Sequence, residues 1–320
     1  MLQVDKGDVL HTLNFPSLIE SLEKAFGRGE IRVPQRHHHE YVGNLGKNTS
    51  TLLLMPAWEE GGYLGVKLVT VSPDNHEFDL PSIQGVYLLM DAKTGIPLAS
   101  IDAPSLTARR TAAASALASK LLSRKDSSSL LMIGTGSLAP ELIRAHRTVR
   151  SIENVFIWGR RIEKAESVKQ ELAAEGIEVN VVSDYIEYLN KVDIISCATL
   201  SKTPLVFGKH LKEGQHIDLV GAYKPDMREA DDALIKSVKL FVDSKTTAVK
   251  ETGDLFIPMQ EGSITFDHII DDLFGLCSTG KTGRTNDQQI TCFKSVGHAL
   301  EDLVAARLVK ENLEPETTFK

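Results

Sequence analysis

A glycine-rich turn between an apolar run and a helical stretch constrains the fold of this chain most strongly. Residues 129–140 read SLLMIGTGSLAP, in which SLLMI is typical of a buried strand and GTGSLA fits the pattern G-x-G-x-x-A. In this pattern the first glycine makes a tight turn, the second lets the backbone approach a pyrophosphate, and the small last residue allows close packing of the helix on the strand. Amides at the start of the helix then face the phosphates. The pattern predicts a dinucleotide site formed by Gly134, Thr135, Gly136, Ser137 and Leu138.

Strand and helix candidates alternate after this turn. The strand candidates are SLLMI, VFIW, EVNVV, DIISCAT, HIDLVGA, KLFVD and QITCFKS, and helical stretches such as RIEKAESVKQELAAE and READDALIKSV separate most of them. Such alternation is typical of a doubly wound parallel sheet. We therefore predict that residues 123–296 form an α/β Rossmann domain.

The first third of the chain has a different pattern. A helical repeat over Phe15–Phe26 precedes four short runs rich in branched side chains, TLLLMPAW, YLGVKLVTV, IQGVYLLM and IPLASID. These runs predict a meandering antiparallel sheet. An alanine-rich helix follows at Ser105–Leu122, and a long amphipathic helix near the C-terminus is expected to return to this region. The pattern predicts a second, smaller α+β domain made of residues 1–122 with 297–320.

Composition excludes several classes of partner. The net charge of −7 argues against nucleic acid and anionic membrane surfaces. Apolar runs stay shorter than a membrane span, and the first 20 residues lack the pattern of a signal peptide. The three cysteines lie far apart and read as reduced thiols, so we expect a cytoplasmic protein. We predict no metal site, because three consecutive residues of a strand, His37-His38-His39, cannot all face one ion.

A second glycine-containing stretch, residues 275–282, matches the phosphate-binding pattern G-x-x-x-x-G-K-[ST]. That pattern functions between a preceding strand and a following helix. The residues before it, FDHIIDDLF, predict an amphipathic helix, and GRTNDQQ after it predicts a polar loop. We therefore interpret this match as a coincidence.

The tip of the second Rossmann strand indicates which dinucleotide binds. Chains that bind NAD usually carry a carboxylate there for the ribose 2′-hydroxyl, whereas this chain has Gly159, Arg160 and Arg161. The glycine removes charge repulsion, and guanidinium groups donate forked hydrogen bonds to a phosphate. One such bond contributes roughly 1.5–3 kcal/mol, which corresponds to about a tenfold preference or more. We predict that NADPH is preferred and NADH possible; the alternative is that both arginines only solvate the start of a helix.

With these features placed, the chain resembles the ornithine cyclodeaminase/μ-crystallin family over nearly its full length. The matching stretches are VPQRHH, MPAW, LGVKLVTVSP, TARRTAAASALASKLL, IGTGSLAP, GAYKPDMREAD, VDS with KETGDL, and ITCFKSVG. The resemblance implies a homodimer in which the Rossmann domain binds a nicotinamide cofactor. It assigns dimer contacts and part of the substrate pocket to the other domain. It also implies action on amino acids or their imines, without a metal.

The resemblance assigns roles to individual residues. Arg36, Lys67 and Arg110 would surround the substrate carboxylate, which is physically sensible because buried cations need an anion. The implied contacts to the cofactor are Ser82, Arg110, Thr199, Val220, Gly221 and Ser295, and the implied edge of the substrate pocket is Glu251 and Val296.

One position departs from the pattern of ornithine cyclodeaminase. That enzyme has an acidic residue two positions after the glycine that matches Gly221, and this chain has Tyr223 there. The site therefore lacks a natural base and a partner for the distal ammonium of ornithine. Together with the arginines at 160 and 161, this favours a reductase of a small cyclic imino acid. Lys67 and Arg110 would position the substrate, and Tyr223 or Ser82 is the candidate proton donor.

The first-choice reaction is reduction of Δ1-pyrroline-2-carboxylate to L-proline, with Δ1-piperideine-2-carboxylate to L-pipecolate as a second. Two alternatives stay open. One is another enzyme of the family, either ornithine cyclodeaminase or a dehydrogenase of alanine or N-methylalanine. The other is a crystallin-like protein that binds NADP(H) without catalysis.

Overall fold

The computed structural model describes residues 1–43, 48–278 and 283–314. The chain forms two compact units, Met1–Thr111 with His298–Lys320, and Ala112–Gly297. The boundary that the sequence predicts after residue 122 is the end of a helix, Ala103–Leu122, whereas the first unit ends inside that helix. Among the helices of the described residues, none is both long and apolar enough to cross a membrane.

The first unit contains a six-stranded sheet in the order β1-β6-β5-β4-β3-β2. Its strands are β1 (Leu2–Val4), β2 (His37–Val42), β3 (Thr49–Trp58), β4 (Tyr63–Val71), β5 (Ile83–Asp91) and β6 (Pro97–Asp102). Strands β2 to β6 pair antiparallel in chain order, which confirms the predicted meander. Strand β1 adds to the sheet parallel to β6.

Helices cover one face of this sheet. They are α1 (Lys6–Thr12), α2 (Phe15–Arg28), the first part of α3 (Ala103–Leu122) and the C-terminal α10 (Ala299–Leu313). Asn14 caps α2 by accepting a hydrogen bond from the amide of Ser17, and Gly29 ends it in the left-handed conformation. The apolar residues of α2 recur at helical spacing and are buried: Leu18, Leu22 and Phe26. Because α10 packs on α2, β3 and β4, its acidic residues enter the core of this unit.

The second unit contains an eight-stranded, wholly parallel sheet in the order β13-β12-β14-β11-β10-β7-β8-β9. Its strands are β7 (Ser129–Ile133), β8 (Asn154–Trp158), β9 (Asn180–Val181), β10 (Ile194–Cys197), β11 (His216–Leu219), β12 (Lys239–Val242), β13 (Ile269–Asp272) and β14 (Thr291–Lys294). Its helices are α4 (Leu138–Val149), α5 (Ile162–Ala173), α6 (Asp232–Ser237), α7 (Ala248–Glu251), α8 (Gly253–Gln260) and α9 (Leu273–Cys277). The predicted α/β Rossmann fold is confirmed.

The strand order places the switch point of this sheet between β7 and β10. From β7 the chain runs outward through β8 and β9, then returns to β10 and continues in the other direction. Ligands of open parallel sheets bind at the carboxyl ends of the strands that flank such a point. The residues that follow β7, β10, β11 and β14 are therefore the candidates for contact with a ligand.

The helix predicted for FDHIIDDLF is wrong. Its central residues form β13, which pairs with β12 at the edge of the sheet. Ile269 is buried and Ile270 exposed, and such alternation between neighbours is the period of a strand. Gly275, the first glycine of the rejected phosphate motif, lies inside α9, and residues 279–282 of that motif lie outside the described residues.

Candidate active site

The turn after β7 has the geometry that its glycines predict. Gly134 adopts φ +119°, and a Cβ atom there would lie 2.4 Å from the carbonyl oxygen of Ala198. Its amide donates a hydrogen bond to the carbonyl oxygen of Trp158 at 2.9 Å. Only glycine fits this position, because both the backbone conformation and the neighbouring strand end exclude a side chain.

The second glycine of the turn faces open space. A Cβ atom added to Gly136 would meet no other atom of the described residues within 4 Å. Ser137 is also exposed, and α4 begins at the next residue, Leu138. A phosphate can therefore approach the backbone at Gly136 and the start of α4, where the helix dipole favours an anion. These residues fit the pyrophosphate of a dinucleotide.

At the tip of β8, Gly159 packs against the side chain of Thr135. A Cβ atom at residue 159 would lie 2.5 Å from Cγ2 of Thr135. A side chain at residue 159 would therefore require Thr135 to move, a constraint that the sequence did not indicate. Arg160 and Arg161 are exposed there and line a cavity of about 460 Å³ together with Trp158, Glu163 and Ser183. Nε of Arg161 lies 4.0 Å from Oε1 of Glu163.

A buried glutamate, Glu229, joins the ends of β10 and β11. Its Oε1 accepts hydrogen bonds from the amide of Thr199 at 2.6 Å and from its hydroxyl at 3.0 Å, and its Oε2 accepts from the amide of Gly221 at 2.8 Å. Burial raises the pKa of Glu229, the charge of Lys294 opposes this, and Asp254 adds to it. Thr199 and Gly221, both predicted cofactor contacts, are thus held in register by one carboxylate.

Lys294, the last residue of β14, is completely buried beside two carboxylates. Its Nζ lies 3.2 Å from Oδ2 of Asp254 and 3.8 Å from Oε2 of Glu229. Burial lowers the pKa of Lys294, but these two carboxylates outweigh burial and raise it. Asp254 also accepts hydrogen bonds from the amides of Glu229 and Ala230, at 2.7 and 2.9 Å. The matched stretches READ, TGD and FKS therefore meet in a structural ion cluster.

Three of the remaining predicted residues of this unit, Val220, Ser295 and Val296, follow strand ends. Oδ2 of Asp243 accepts hydrogen bonds from the amides of Val296 and Gly297, both at 2.7 Å, and the amide of Ser295 donates to the carbonyl oxygen of Leu219 at 3.0 Å. The amide of Val220 donates to the carbonyl oxygen of Cys197. Tyr223 is half-buried, and burial raises its pKa. Glu251 is the last residue of α7 and is also half-buried.

In the first unit, two of the three predicted cations are buried together. Nζ of Lys67, on β4, lies 2.8 and 2.9 Å from the two carboxylate oxygens of Asp302. Nε of Arg110, on α3, donates to Oδ1 of the same aspartate at 2.9 Å, and its Nη1 donates to Oε2 of Glu301 at 2.5 Å. Arg36 is half-buried, and its charge is near enough to lower the pKa of Lys67.

These contacts correct one step of the sequence argument. We expected an anionic ligand to be the counter-charge of the buried cations, but the chain supplies two carboxylates of its own. Sequence reasoning missed Glu301 and Asp302. The available signal was an adjacent acidic pair inside an otherwise apolar stretch, HALEDLVAARL, since buried acids are almost always paired with a cation. It likewise missed Glu229, Asp254 and Lys294.

Ser82 occupies a different kind of position. It lies on an exposed bend immediately before β5, and its carbonyl oxygen accepts a hydrogen bond from the amide of Ser72 at 2.8 Å. This bond closes the loop between β4 and β5. The predicted contact of Ser82 with the cofactor stays a prediction.

Together the parallel sheet, its switch point and the glycine turn define a Rossmann-type protein whose residues fit a nicotinamide dinucleotide. The chain belongs to the ornithine cyclodeaminase/μ-crystallin family, whose sequence model matches residues 2–317. A Δ1-pyrroline-2-carboxylate reductase of Colwellia psychrerythraea is 40% identical over 308 residues, which cover 95% of this chain and 97% of that protein.

Solved structures give the same relationship. The Δ1-pyrroline-2-carboxylate reductase of Thermococcus litoralis in complex with NADH and L-proline superposes with a TM-score of 0.91 at 38% identity, over 98% of this chain and 97% of that one. An archaeal alanine dehydrogenase dimer with bound NAD has a TM-score of 0.89 at 30% identity, over 98% of this chain and 95% of that one.

Proposed function

We propose that this protein reduces Δ1-pyrroline-2-carboxylate to L-proline with a reduced nicotinamide dinucleotide. The observation that carries the proposal is the placement of Lys67 and Arg110 by Asp302 with Arg36 nearby, and these are the cations to which the proposal assigns the substrate carboxylate. The named activity of the Colwellia and Thermococcus relatives supports the same reaction. Δ1-piperideine-2-carboxylate, one ring carbon larger, is the second proposed substrate.

The residues of the chain act mainly by binding and orientation. Arg36, Lys67 and Arg110 bind the carboxylate and fix the direction of the C=N bond, which makes the reaction effectively unimolecular. A reduced nicotinamide dinucleotide, held at Gly134, Gly136 and Thr199, would supply the hydride that C2 of the imine accepts. A proton goes to the ring nitrogen, and Tyr223 and Ser82 are the proposed donors. The raised pKa of Tyr223 keeps its phenol protonated at neutral pH.

We propose NADPH as the preferred dinucleotide and NADH as a usable one. This part of the proposal rests on the tip of β8, where Arg160 and Arg161 line the cavity beside Gly159. The two structural relatives described above carry NADH and NAD, so the proposed preference for NADPH rests on Arg160 and Arg161 alone.

Tyr223 argues against ornithine cyclodeaminase activity. The chain presents a phenol where that enzyme has a carboxylate, so the distal ammonium of ornithine would lack its counter-charge. A dehydrogenase of alanine or N-methylalanine is the next candidate, because the archaeal alanine dehydrogenase has nearly the same fold.

A substrate panel crossed with NADPH and NADH tests the proposal. We expect oxidation of NADPH with Δ1-pyrroline-2-carboxylate and formation of L-proline, at a higher kcat/KM than with pyruvate plus ammonia or methylamine. Release of ammonia from L-ornithine without net cofactor turnover would reassign the chain to a cyclodeaminase. Absence of turnover on every imino acid, with NADPH still bound, would favour the crystallin-like alternative.

The proposal includes a homodimer, with residues 1–122 and 297–320 for substrate and dimer contacts and residues 123–296 for the dinucleotide. It also includes a cytoplasmic location, which rests on the three cysteines, none of which forms a disulfide in the described part of the chain that contains them all. Light scattering coupled to size-exclusion chromatography tests the dimer. Localisation of a tagged chain in cells tests the compartment.

A further inference from the structure

An acidic pair on α10 lies in direct contact with the cations of the first unit. Asp302 contacts Lys67 and Arg110 simultaneously, with its Oδ1 within 2.9 Å of both Nζ of Lys67 and Nε of Arg110. Glu301 contacts Arg110 through Nη1. All four side chains are at least 95% buried, so water screens these contacts little.

Arg36 lies near enough to this cluster for its positive charge to lower the pKa of Lys67. Lys67 and Arg110 carry the positive charges that Asp302 holds directly. Cations at such a site attract an anionic ligand, and the proposed substrate carries one carboxylate.

We propose that Asp302 is a positioning residue: it fixes Lys67 and Arg110 for the substrate carboxylate and keeps Lys67 in its charged form. The proposal rests on the function proposed above, because it takes the imino acid as the ligand of these cations. Asp302 itself contacts the two cations and not the reacting atoms. Its role is to set their geometry and charge.

The surroundings of Lys67 show why its charge depends on Asp302. Burial lowers the pKa of Lys67 to about 8, Arg110 and Arg36 lower it as well, and Asp302 is the group that raises it. The pKa of Asp302 itself is raised by burial, but Arg110 and Lys67 outweigh this and lower it, so Asp302 is ionised at neutral pH. Without this carboxylate, Lys67 would face two positive charges in a buried site and would lose its proton at a lower pH.

A buried tyrosine on the neighbouring strand lies across from Lys67. Tyr87 on β5 is the cross-strand partner of Lys67 on β4, and it is completely buried. Its hydroxyl fills the space above Gly65, where a Cβ atom would lie 2.1 Å away. Burial raises the pKa of Tyr87 and the charge of Asp302 raises it further, so the phenol stays neutral and adds no charge to the cluster. Of these two neighbours of Lys67, Asp302 carries a charge and Tyr87 does not, so removing the carboxylate of Asp302 changes the charge next to Lys67.

The test compares Asp302→Asn with Glu301→Gln in the full-length protein. Both variants remove one carboxylate of the pair, but only the first removes a contact to Lys67. We would measure binding of L-proline by calorimetry from pH 6 to 9.5, the pH profile of kcat/KM for the imine, and binding of NADPH by fluorescence. In the unmodified protein we expect L-proline affinity to fall above about pH 8.

In Asp302→Asn the midpoint of the alkaline loss of L-proline affinity should lie at least one pH unit lower. At pH 7.5 the Kd for L-proline should rise tenfold or more. In Glu301→Gln the midpoint should stay in place, whatever the change in Kd. NADPH affinity should stay within twofold in both variants. Equal shifts of the midpoint in the two variants, or an unmoved midpoint in Asp302→Asn, would overturn the proposal.

A third variant, Lys67→Arg, keeps the test decisive if Asp302→Asn does not fold. A guanidinium does not titrate in this range, so the alkaline fall in L-proline affinity should disappear. A persistent fall would show that Lys67 is not the titrating group and would overturn the proposal. If L-proline binds with the expected pH profile but no imine is reduced, the proposed reaction fails while the role of Asp302 stands. If the imine is reduced and the midpoint does not move, only the role of Asp302 fails.

Discussion

Glu229 and Thr199 are joined by two hydrogen bonds to a single carboxylate oxygen. Oε1 of Glu229 accepts from the amide of Thr199 at 2.6 Å and from its hydroxyl at 3.0 Å, while the other oxygen accepts from the amides of Gly221 and Ala222. A side chain that follows β11 in sequence therefore determines the shape of the strand ends at which a dinucleotide is expected to bind.

Replacing Glu229 should cost stability because its partners are buried. Glu229→Ala leaves the amides of Thr199 and Gly221 without an acceptor and Lys294 with one counter-ion fewer. We expect the free energy of unfolding to fall by about 3–5 kcal/mol, the usual effect of breaking a buried pair. Urea denaturation measures this, with the exposed Glu187→Gln as the matched control, expected within about 0.5 kcal/mol of the unmodified protein. A change below about 1 kcal/mol for Glu229→Ala would contradict the hydrogen-bond network described here.

The two glycines of the turn should respond differently to alanine. Gly134→Ala places a Cβ atom against Ala198 at positive φ, so we expect a loss of about 1–3 kcal/mol of stability. The methyl group added in Gly136→Ala points into open space. The free energy of unfolding should therefore stay within about 0.5 kcal/mol of that of the unmodified protein. NADPH affinity should nevertheless fall about tenfold, because the methyl group takes the space of the phosphate. Thermal unfolding and fluorescence titration separate the two effects; unchanged NADPH binding in Gly136→Ala would place the pyrophosphate elsewhere.

The arginines at the tip of β8 should control the choice of dinucleotide. Replacing Arg160 or Arg161 by glutamine removes a charged donor, and we expect kcat/KM with NADPH to fall about tenfold while the value with NADH changes less than twofold. Lys169→Gln, inside the helix α5 that follows these arginines, removes another exposed positive charge and serves as the control. Equal loss with both cofactors would mean that these side chains do not distinguish the 2′-phosphate.

A buried histidine should make the second unit sensitive to acid. Burial lowers the pKa of His216 from 6.5 to about 3, with His146, Arg284 and Arg150 adding to this and Asp218 opposing it. The folded state keeps this imidazole neutral while the unfolded chain binds a proton below pH 6.5. Stability is therefore lost as the pH falls from about 6.5 towards 3, by about 2 kcal/mol between pH 7 and pH 5 from this group alone.

The variant His216→Gln tests this contribution. Its free energy of unfolding should depend less on pH between 7 and 5 than that of the unmodified protein, by about 2 kcal/mol over the interval. Urea denaturation at several pH values measures the slope. An exposed histidine, His11→Gln, provides the comparison and should leave the slope unchanged. Identical slopes for His216→Gln and the unmodified protein would mean that folding does not lower the pKa of His216.

Local patterns were sufficient to predict the larger elements. The alternation of branched residues predicted β4 at its observed bounds, because a strand has a period of two residues. The glycine turn predicted the start of α4, because the pattern fixes the backbone geometry before the helix. The edge strand β13 was mistaken for a helix because four residues are too few to distinguish the two periods. Residues 178–182 were assigned to a strand, of which only Asn180 and Val181 pair.

The charge network was beyond sequence reasoning for a different reason. Lys67 and Asp302 are separated by 235 positions, and Glu229 and Lys294 come from different elements, so no local spacing links them. Gly159 shows the same limit, since the need for glycine comes from contact with Thr135. Interactions between distant segments depend on the topology, which a single sequence does not display.

The first unit is assembled from both ends of the chain, and this affects the order in which it can mature on the ribosome. All residues of the Rossmann unit are translated before α10. Until then Lys67 and Arg110 lack the carboxylates of Glu301 and Asp302, and burying them uncompensated is costly. The nascent N-terminal segment therefore keeps these two cations hydrated until α10 is available to cover them.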